Sequence, residues 1–310
     1  MTTWVWMKDV DVAVADPIAP IDEFDERPAI NDLIQEHHVG IDKVAKELQQ
    51  DPFFDASKHD DLWILRFVLS HCKTRKKTTN KTIAKAVEAA KTTLAFRKKH
   101  NLDDEDIRAF PPNKDCPHPK GANCAKYFSC CDDDAMVICI PNKQRCVISF
   151  FQFSSIDQEA CVEKLEAEQW LPAYIYTSEF IHQWLDYISR RTGRLTKNVR
   201  VVSMEGVKVS NINSEHERRN AKAMAVMEDC YPQLLQSIII CEPPAWIQVP
   251  WRMIKVFFPK RVTEKLDVLS PRTNLKERKI LYKHVVDKDL PIKFGGQYPE
   301  WPVRFPLPDM

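Results

Sequence analysis

Glycine is scarce in this chain. Among 310 residues there are six, Gly40, Gly121, Gly193, Gly206, Gly295 and Gly296. Dinucleotide fingerprints and P-loops need clustered glycines so that backbone N–H groups can approach phosphate. Neither pattern occurs, so nucleotide-dependent chemistry of either kind is not expected. A run of about 18 apolar residues is also missing, and with it a transmembrane helix. The N-terminus, MTTWVWMKDVDVAVADP, turns acidic after Lys8 and lacks a basic-then-apolar signal peptide. A cytoplasmic location follows as the expectation. Charge of one sign is lacking too: 45 Lys and Arg stand against 44 Asp and Glu, a net +1, so no global field argues for nucleic acid.

Catalytic and metal signatures are absent in turn. The 10 cysteines include no C-x-x-C pair, so zinc-ribbon and thioredoxin patterns lack their spacing. Cys139, Cys146 and Cys241 sit in apolar runs as small hydrophobes, and reduced thiols are expected. Cys116, His118 and Cys124 lack a fourth ligand at finger-like spacing, so no metal is expected. Cys139 to Arg145 matches C-x5-R, the pattern of cysteine phosphatases. However, Ile138 rather than His precedes the cysteine, Pro141 removes a backbone donor, and no glycine relaxes the loop. There is no G-x-S-x-G elbow and no H-E-x-x-H pair. Nothing brings nucleophile, base and orienter together, so neither an enzyme nor a cofactor is expected.

What the chain does have is organised around Tyr231 to Leu269. Tyr231-Pro232 is a turn signal. Ser237 to Cys241 is a short β-branched run closed by Pro243-Pro244, as a buried strand would be. In Trp246 to Phe258 the polar residues Gln248, Arg252 and Lys255 recur at i, i+4 and i+7. That spacing predicts a helix with one narrow polar stripe and apolar cover elsewhere. It is too short, and too interrupted by Pro250, to span a bilayer. Two interpretations stand open, a buried core helix or a lid over an apolar cavity that touches membranes. The aromatic residues mixed with Arg252, Lys255, Lys260, Arg261 and Lys265 suit an interfacial surface.

Taken in order, residues 1–40 are acidic and proline-punctuated and read as an extension with weak structure. Helical periodicity begins at Ile41, with Val44 and Leu48, and continues through Asp60 to Leu69 and Ile83 to Arg97. These mark an all-helical lobe over 41–115. The basic run Lys73 to Lys81 is a solvated loop or a contact for anionic headgroups. Residues 111–124, rich in proline, read as a linker. From 125 to 300 the rhythm is βα. Strands are expected at Ala135 to Ile140, Cys146 to Phe153, Val199 to Val209 and Ser237 to Cys241. Helices are expected at Leu165 to Tyr174, Ser178 to Arg190, Glu215 to Cys230 and Asn274 to Val286. Such alternation predicts an α/β fold with a sheet covered on at least one face.

Several motifs in order give the chain a family resemblance. They are LRFVL at Leu65 to Leu69, LAFRKKHNL at Leu94 to Leu102, QRCVISFFQFSSID at Gln144 to Asp157, VVSMEGVKVSN at Val201 to Asn211, the Tyr231–Leu269 stretch, and LPIKFGG up to Gly296. From about Val44 to Gly296 the chain resembles the CRAL-TRIO lipid-binding proteins, which include phosphatidylinositol/phosphatidylcholine, tocopherol and retinaldehyde carriers. The resemblance implies a helical N-terminal lobe followed by a lipid-binding domain with a mixed β-sheet floor and flanking helices. It makes Trp246 to Phe258 a gate over the pocket, opening at membranes for ligand exchange. No appended membrane-targeting module is expected after Gly296.

The implied ligand contacts are Val147, Ser149, Phe151, Phe153, Tyr174, Phe180, Val201, Ser203, Glu205 and Ile239, with Trp246, Val249, Met253, Ile254 and Phe257 from the gate. On the strand expected at Cys146 to Phe153, the alternate set Ile148, Phe150 and Gln152 competes with Val147, Ser149, Phe151 and Phe153 for the inward face. Trp246, Ile247, Trp251, Lys255, Phe258, Lys260 and Arg261 are the implied membrane contacts. The expected partners are a hydrophobic lipid and, transiently, a membrane surface. An adaptor that recruits a protein through residues 1–40 is the alternative. Phosphoinositide-binding members carry a basic pair after LRFL and basic residues after the Tyr-Pro turn. Here those positions hold Leu69 to Cys72 and Gln233 to Ser237, so a neutral or zwitterionic lipid, sterol or isoprenoid is expected instead.

Overall fold

A computed structural model describes residues 17–20, 23, 25–72, 78–139, 145–244, 265–269, 281, 290–294 and 296–299. The N-terminal lobe is three helices, α1 (Ile30–Leu48), α2 (Asp61–His71) and α3 (Asn80–Lys99). Asp60 caps α2 by accepting from the Trp63 amide, and Thr79 forms a capping box with Thr82 on α3. Ile41, Val44 and Leu48 of α1 meet Leu62, Leu65 and Val68 of α2 and Ile83 and Leu94 of α3 in one core.

The helix read from Ile41 begins at Ile30, which is fully buried. The apolar stripe extends upstream through Ile30, Leu33, Ile34 and His37, hidden in the sequence by acidic and proline-rich surroundings. Residues 25–30 are tied down rather than loose. Asp25 holds Arg27 through two hydrogen bonds of 2.8 and 2.9 Å, and Arg27 donates to Thr196 at 3.0 Å. The Ile30 amide donates to the Gly193 carbonyl at 2.8 Å.

The second part interleaves strands and helices: α4 (Ala122–Phe128), β1 (Met136–Cys139), β2 (Val147–Gln152), α5 (Gln158–Lys164), α6 (Ala167–Thr192), β3 (Asn198–Ser203), α7 (Ser214–Cys230), β4 (Leu235–Cys241) and β5 (Leu266–Leu269). The sheet order is β1-β2-β3-β4-β5, with β1 antiparallel to β2 and the remaining pairs parallel. Strand β5 was not anticipated, because four residues carry too little periodicity to announce a strand.

The two helices expected at Leu165 to Tyr174 and Ser178 to Arg190 are one, α6, which runs through Pro172. Proline costs a helix one hydrogen bond and crowds a carbonyl. Here Trp170, Ala173, Tyr176, Phe180, Ile181, Leu185 and Ile188 are buried along the helix, and that burial outweighs the break. Gly193 closes α6 at φ 61°, the left-handed geometry that glycine adopts without a Cβ penalty.

The proline-rich stretch 111–124 is packed rather than a free linker. Cys116 Sγ donates to the Tyr176 hydroxyl at 3.2 Å, and Cys124 is fully buried beside Thr177. The two thiols point at hydroxyls on α6. The basic loop from Lys73 to Lys77, the gate Trp246 to Phe258 and nearly all of the helix expected at Asn274 to Val286 lie outside the described residues.

Candidate functional site

The sheet register sorts its side chains onto two faces. Met136 stands beside Phe151 and Ile138 beside Ser149. Ser149 is level with Arg200, and Phe151 with Val202. Arg200 and Val202 are level with Ile238 and Ile240, which face Leu266 and Val268. These residues share one face. Ile148, Phe150, Val199, Val201, Ile239 and Cys241 share the other, where Leu281, Leu290 and Phe294 pack. The Phe150 and Phe294 rings stack with centroids 4.7 Å apart.

The first face is covered unevenly. Over β1 and β2, Ile138 and Val147 pack with Phe180, Ile181, Leu185 and Ile188 of α6. Over β3 to β5, Val202, Leu235, Ile238, Ile240 and Leu266 cluster with Phe153, Met204 and Val207, all from strands or the segments that follow them. Among the described residues no helix contributes to that cluster. Burial along β3 records the same asymmetry: Val199 and Val201 are sealed, whereas Arg200 and Val202 are half-exposed, as is Phe151 on β2. A side chain on a central strand normally meets a packed layer. Among the described residues, this face is therefore incompletely covered over β3.

One charged residue stands on this part of the face. The Arg200 guanidinium carbon lies 4.9 Å from the centre of the Phe151 ring, a cation–π arrangement. Its Nε is buried without a hydrogen-bond partner. Burial pushes its pKa below the usual arginine value, and Tyr174 of α6 is the ionisable neighbour that opposes the shift. The Tyr174 hydroxyl donates to Asn220 Oδ1 of α7 at 2.5 Å, and Trp170 Nε1 donates to the same oxygen at 3.1 Å. Burial pushes the Tyr174 phenol pKa well up, so it stays neutral.

The residues implied by the family resemblance separate accordingly. Phe151, Phe153 and Tyr174 are half-buried. Val147 and Ser149 share a face with Phe151 but are sealed; Ser149 Oγ accepts from Asn198 Nδ2 at 2.9 Å. Phe180 is fully buried between α6 and the sheet. Val201, Ser203 and Ile239 stand on the opposite face, so they do not line one hollow with Phe151; a strand's period of two forbids it. Glu205 lies beyond the end of β3 with its side chain exposed. Trp246, Val249, Met253, Ile254 and Phe257, with the membrane contacts Ile247, Trp251, Lys255, Phe258, Lys260 and Arg261, lie outside the described residues.

The corner where phosphoinositide-binding members place cations is not empty of them. Lys197 Nζ donates to Gln233 Oε1 at 2.6 Å, and Gln233 Nε2 donates to Ser70 Oγ at 3.1 Å. Lys265 Nζ donates to the Leu235 carbonyl at 2.6 Å. Burial, then the charges of Lys265 and Arg66, pull the Lys197 pKa down to about 8. Motif positions alone missed these lysines, because they come from other segments. Arg200 was missed as well, although a lone charge inside NVRVVS is a visible break in an apolar strand.

The fold is a helical lobe followed by a mixed five-stranded sheet with helices packed on it. The CRAL/TRIO domain family matches residues 133–296, more than half of the 310 residues, and the chain belongs to that family. Its members bind and transfer lipids. A solved chain described as the crystal structure of Sfh5 is similar over 82% of this chain and 82% of its own, at 14% identity and a TM-score of 0.47. Among the described residues no helix is long and apolar enough to cross a membrane.

Proposed function

We propose that this protein carries one lipid at a time, held in the hollow above Phe151, Arg200 and Val202, roofed by Trp246 to Phe258 and exchanged at membrane surfaces. The observation that carries the reading is the alternation along β3, where Arg200 and Val202 keep solvent access between sealed neighbours. Family membership supports it, and so does the amphipathic sequence of the gate. Burying a C18 chain yields on the order of 14 kcal/mol at ~0.8 kcal/mol per CH2. The bilayer offers nearly the same, so exchange is close to neutral and its rate is set by the roof. Trp246, Ile247, Trp251 and Phe258 would enter the interface, with Lys255, Lys260 and Arg261 at the headgroups.

Transfer of a pyrene-labelled phospholipid between vesicles tests this. Wild-type protein accelerates transfer over the spontaneous rate. Ile254→Asp abolishes the acceleration while the far-UV spectrum is retained. Equal rates with and without wild-type protein, across neutral and anionic vesicles, overturn the carrier reading.

A further inference from the structure

Resting on the carrier reading, we infer that Arg200 anchors an acidic group of the ligand, so that the hollow selects lipids carrying a carboxylate or phosphate turned inward against the sheet.

Four buried arginines of this protein are paired with carboxylates: Arg27 with Asp25, Arg66 with Asp186, Arg97 with Glu179 and Asp103, and Arg190 with Asp186 and Asp60. Such pairing offsets the cost of burying a charge. Arg200 is half-buried and differs from these four. Among the described residues its close partner is the face of Phe151, no carboxylate pairs with it, and its Nε is buried without a hydrogen bond. A ring face offsets only part of the desolvation cost.

Position makes the exception informative. Arg200 is on a central strand, beside Ser149 and Ile238, on the face that borders the hollow. It does not reach the protein surface along a helix side or a sheet edge, where a free arginine needs no explanation. Tyr174 cannot neutralise it, because its hydroxyl is already donated to Asn220. A guanidinium presents a planar fork of donors that fits a carboxylate or phosphate through two parallel hydrogen bonds. With Val202, Ile238 and Ile240 around it, such a group would arrive with apolar chain attached.

The experiment uses the full chain and four pyrene probes of one acyl length: a free fatty acid, its methyl ester, a phosphatidic acid and a phosphatidylcholine. Wild-type protein is expected to bind one of the acidic probes at least about tenfold tighter than its neutral counterpart, the order of one charge-assisted pair. Arg200→Gln is expected to bring that ratio to within about twofold, and Arg200→Lys to keep part of the preference. The acid that loses most in Arg200→Gln identifies the source, carboxylate or phosphate. Equal binding of acidic and neutral probes by wild type overturns this inference alone. A preference that survives in Arg200→Gln does the same. Failure of all four probes to bind overturns the carrier reading and this inference together. A far-UV spectrum and melting temperature like those of wild type show that the variant is folded.

Discussion

Arg97 and Glu179, 82 positions apart, meet through two parallel hydrogen bonds, each 3.0 Å long. Both side chains are sealed from solvent. The Tyr231 hydroxyl donates to the same carboxylate at 2.9 Å, and Gln183 Nε2 at 3.1 Å. One carboxylate thus joins α3, α6 and the turn that launches β4. A second joint lies further along α6, where Asp186 receives Arg66 at 2.8 Å and Arg190 at 2.9 Å. Ions fasten the helical lobe to the second part, beside an apolar contact of Phe96 and Leu102 with Ile175, Met227 and Tyr231.

Removing one member of such a joint strands its partner. Glu179→Gln leaves Arg97 with Asp103 alone, and a loss of roughly 3–5 kcal/mol is expected. Urea unfolding measures it. Replacing both residues by apolar ones of similar volume, Arg97→Met with Glu179→Leu, is expected to recover most of the loss. A double variant as unstable as the single one would contradict this account.

Stability should fall with acid in two stages. Burial lowers the His59 pKa from 6.5 to about 4, and burial lowers that of His182 well below its usual value too. Below pH 6.5 the unfolded chain takes up protons that these buried rings refuse, so stability drops as pH falls from 6.5 towards 4. For His59 the loss is about 3 kcal/mol at most. Asp186 is buried, but Arg190 and Arg66 hold its pKa below the ordinary 3.8. Its contribution is complete above 3.8 and is lost only below it. Melting curves from pH 8 to 3 should show the first loss well above the carboxylate range. His59→Gln should flatten that first stage.

Gly296 is predicted to be intolerant of any side chain. A Cβ there would sit 2.0 Å from the Leu290 carbonyl oxygen and 2.5 Å from Leu290 Cβ. The contact is with backbone, which cannot rotate away. Gly296→Ala should cost on the order of 1–3 kcal/mol by overpacking and loosen Phe294 from Phe150. A lowered melting temperature with exposed apolar surface, seen by dye binding, is the expected readout.

Val202→Trp tests the hollow itself. If space lies above Val202, the indole fills it, the melting temperature holds, and lipid binding is lost. In a solidly packed layer the same change costs about 1–3 kcal/mol. A strongly destabilised Val202→Trp variant would therefore deny the hollow.

Much of this was legible in residue order. The period of two at Cys146 to Phe153 and the period of 3.6 at Glu215 to Cys230 gave β2 and α7 within a residue or two. The motifs from LRFVL to LPIKFGG gave the family, which residues 133–296 match. Pro172 misled because proline is a local breaker, whereas burial along α6 is a tertiary effect. Residues 111–124 misled for the same reason: proline content signals a turn but not whether a turn is packed. The site was less legible. Val201 and Ile239 fit an apolar-strand pattern as well as Val202 and Ile240 do, and composition does not distinguish them.

The sequence alone determined the class of element along most of the chain, the exclusion of glycine-cradled phosphate sites and the family. These depend on local spacing, which a linear order records fully. Only the tertiary structure decided which side chains share each face of the sheet, because that depends on strand register and on where α6 lies. It also decided which arginines are paired. Arg66 and Arg97 find carboxylates 120 and 82 positions away, and among the described residues Arg200 pairs with none. A charge's meaning lies in what surrounds it in space, and no periodicity carries that information.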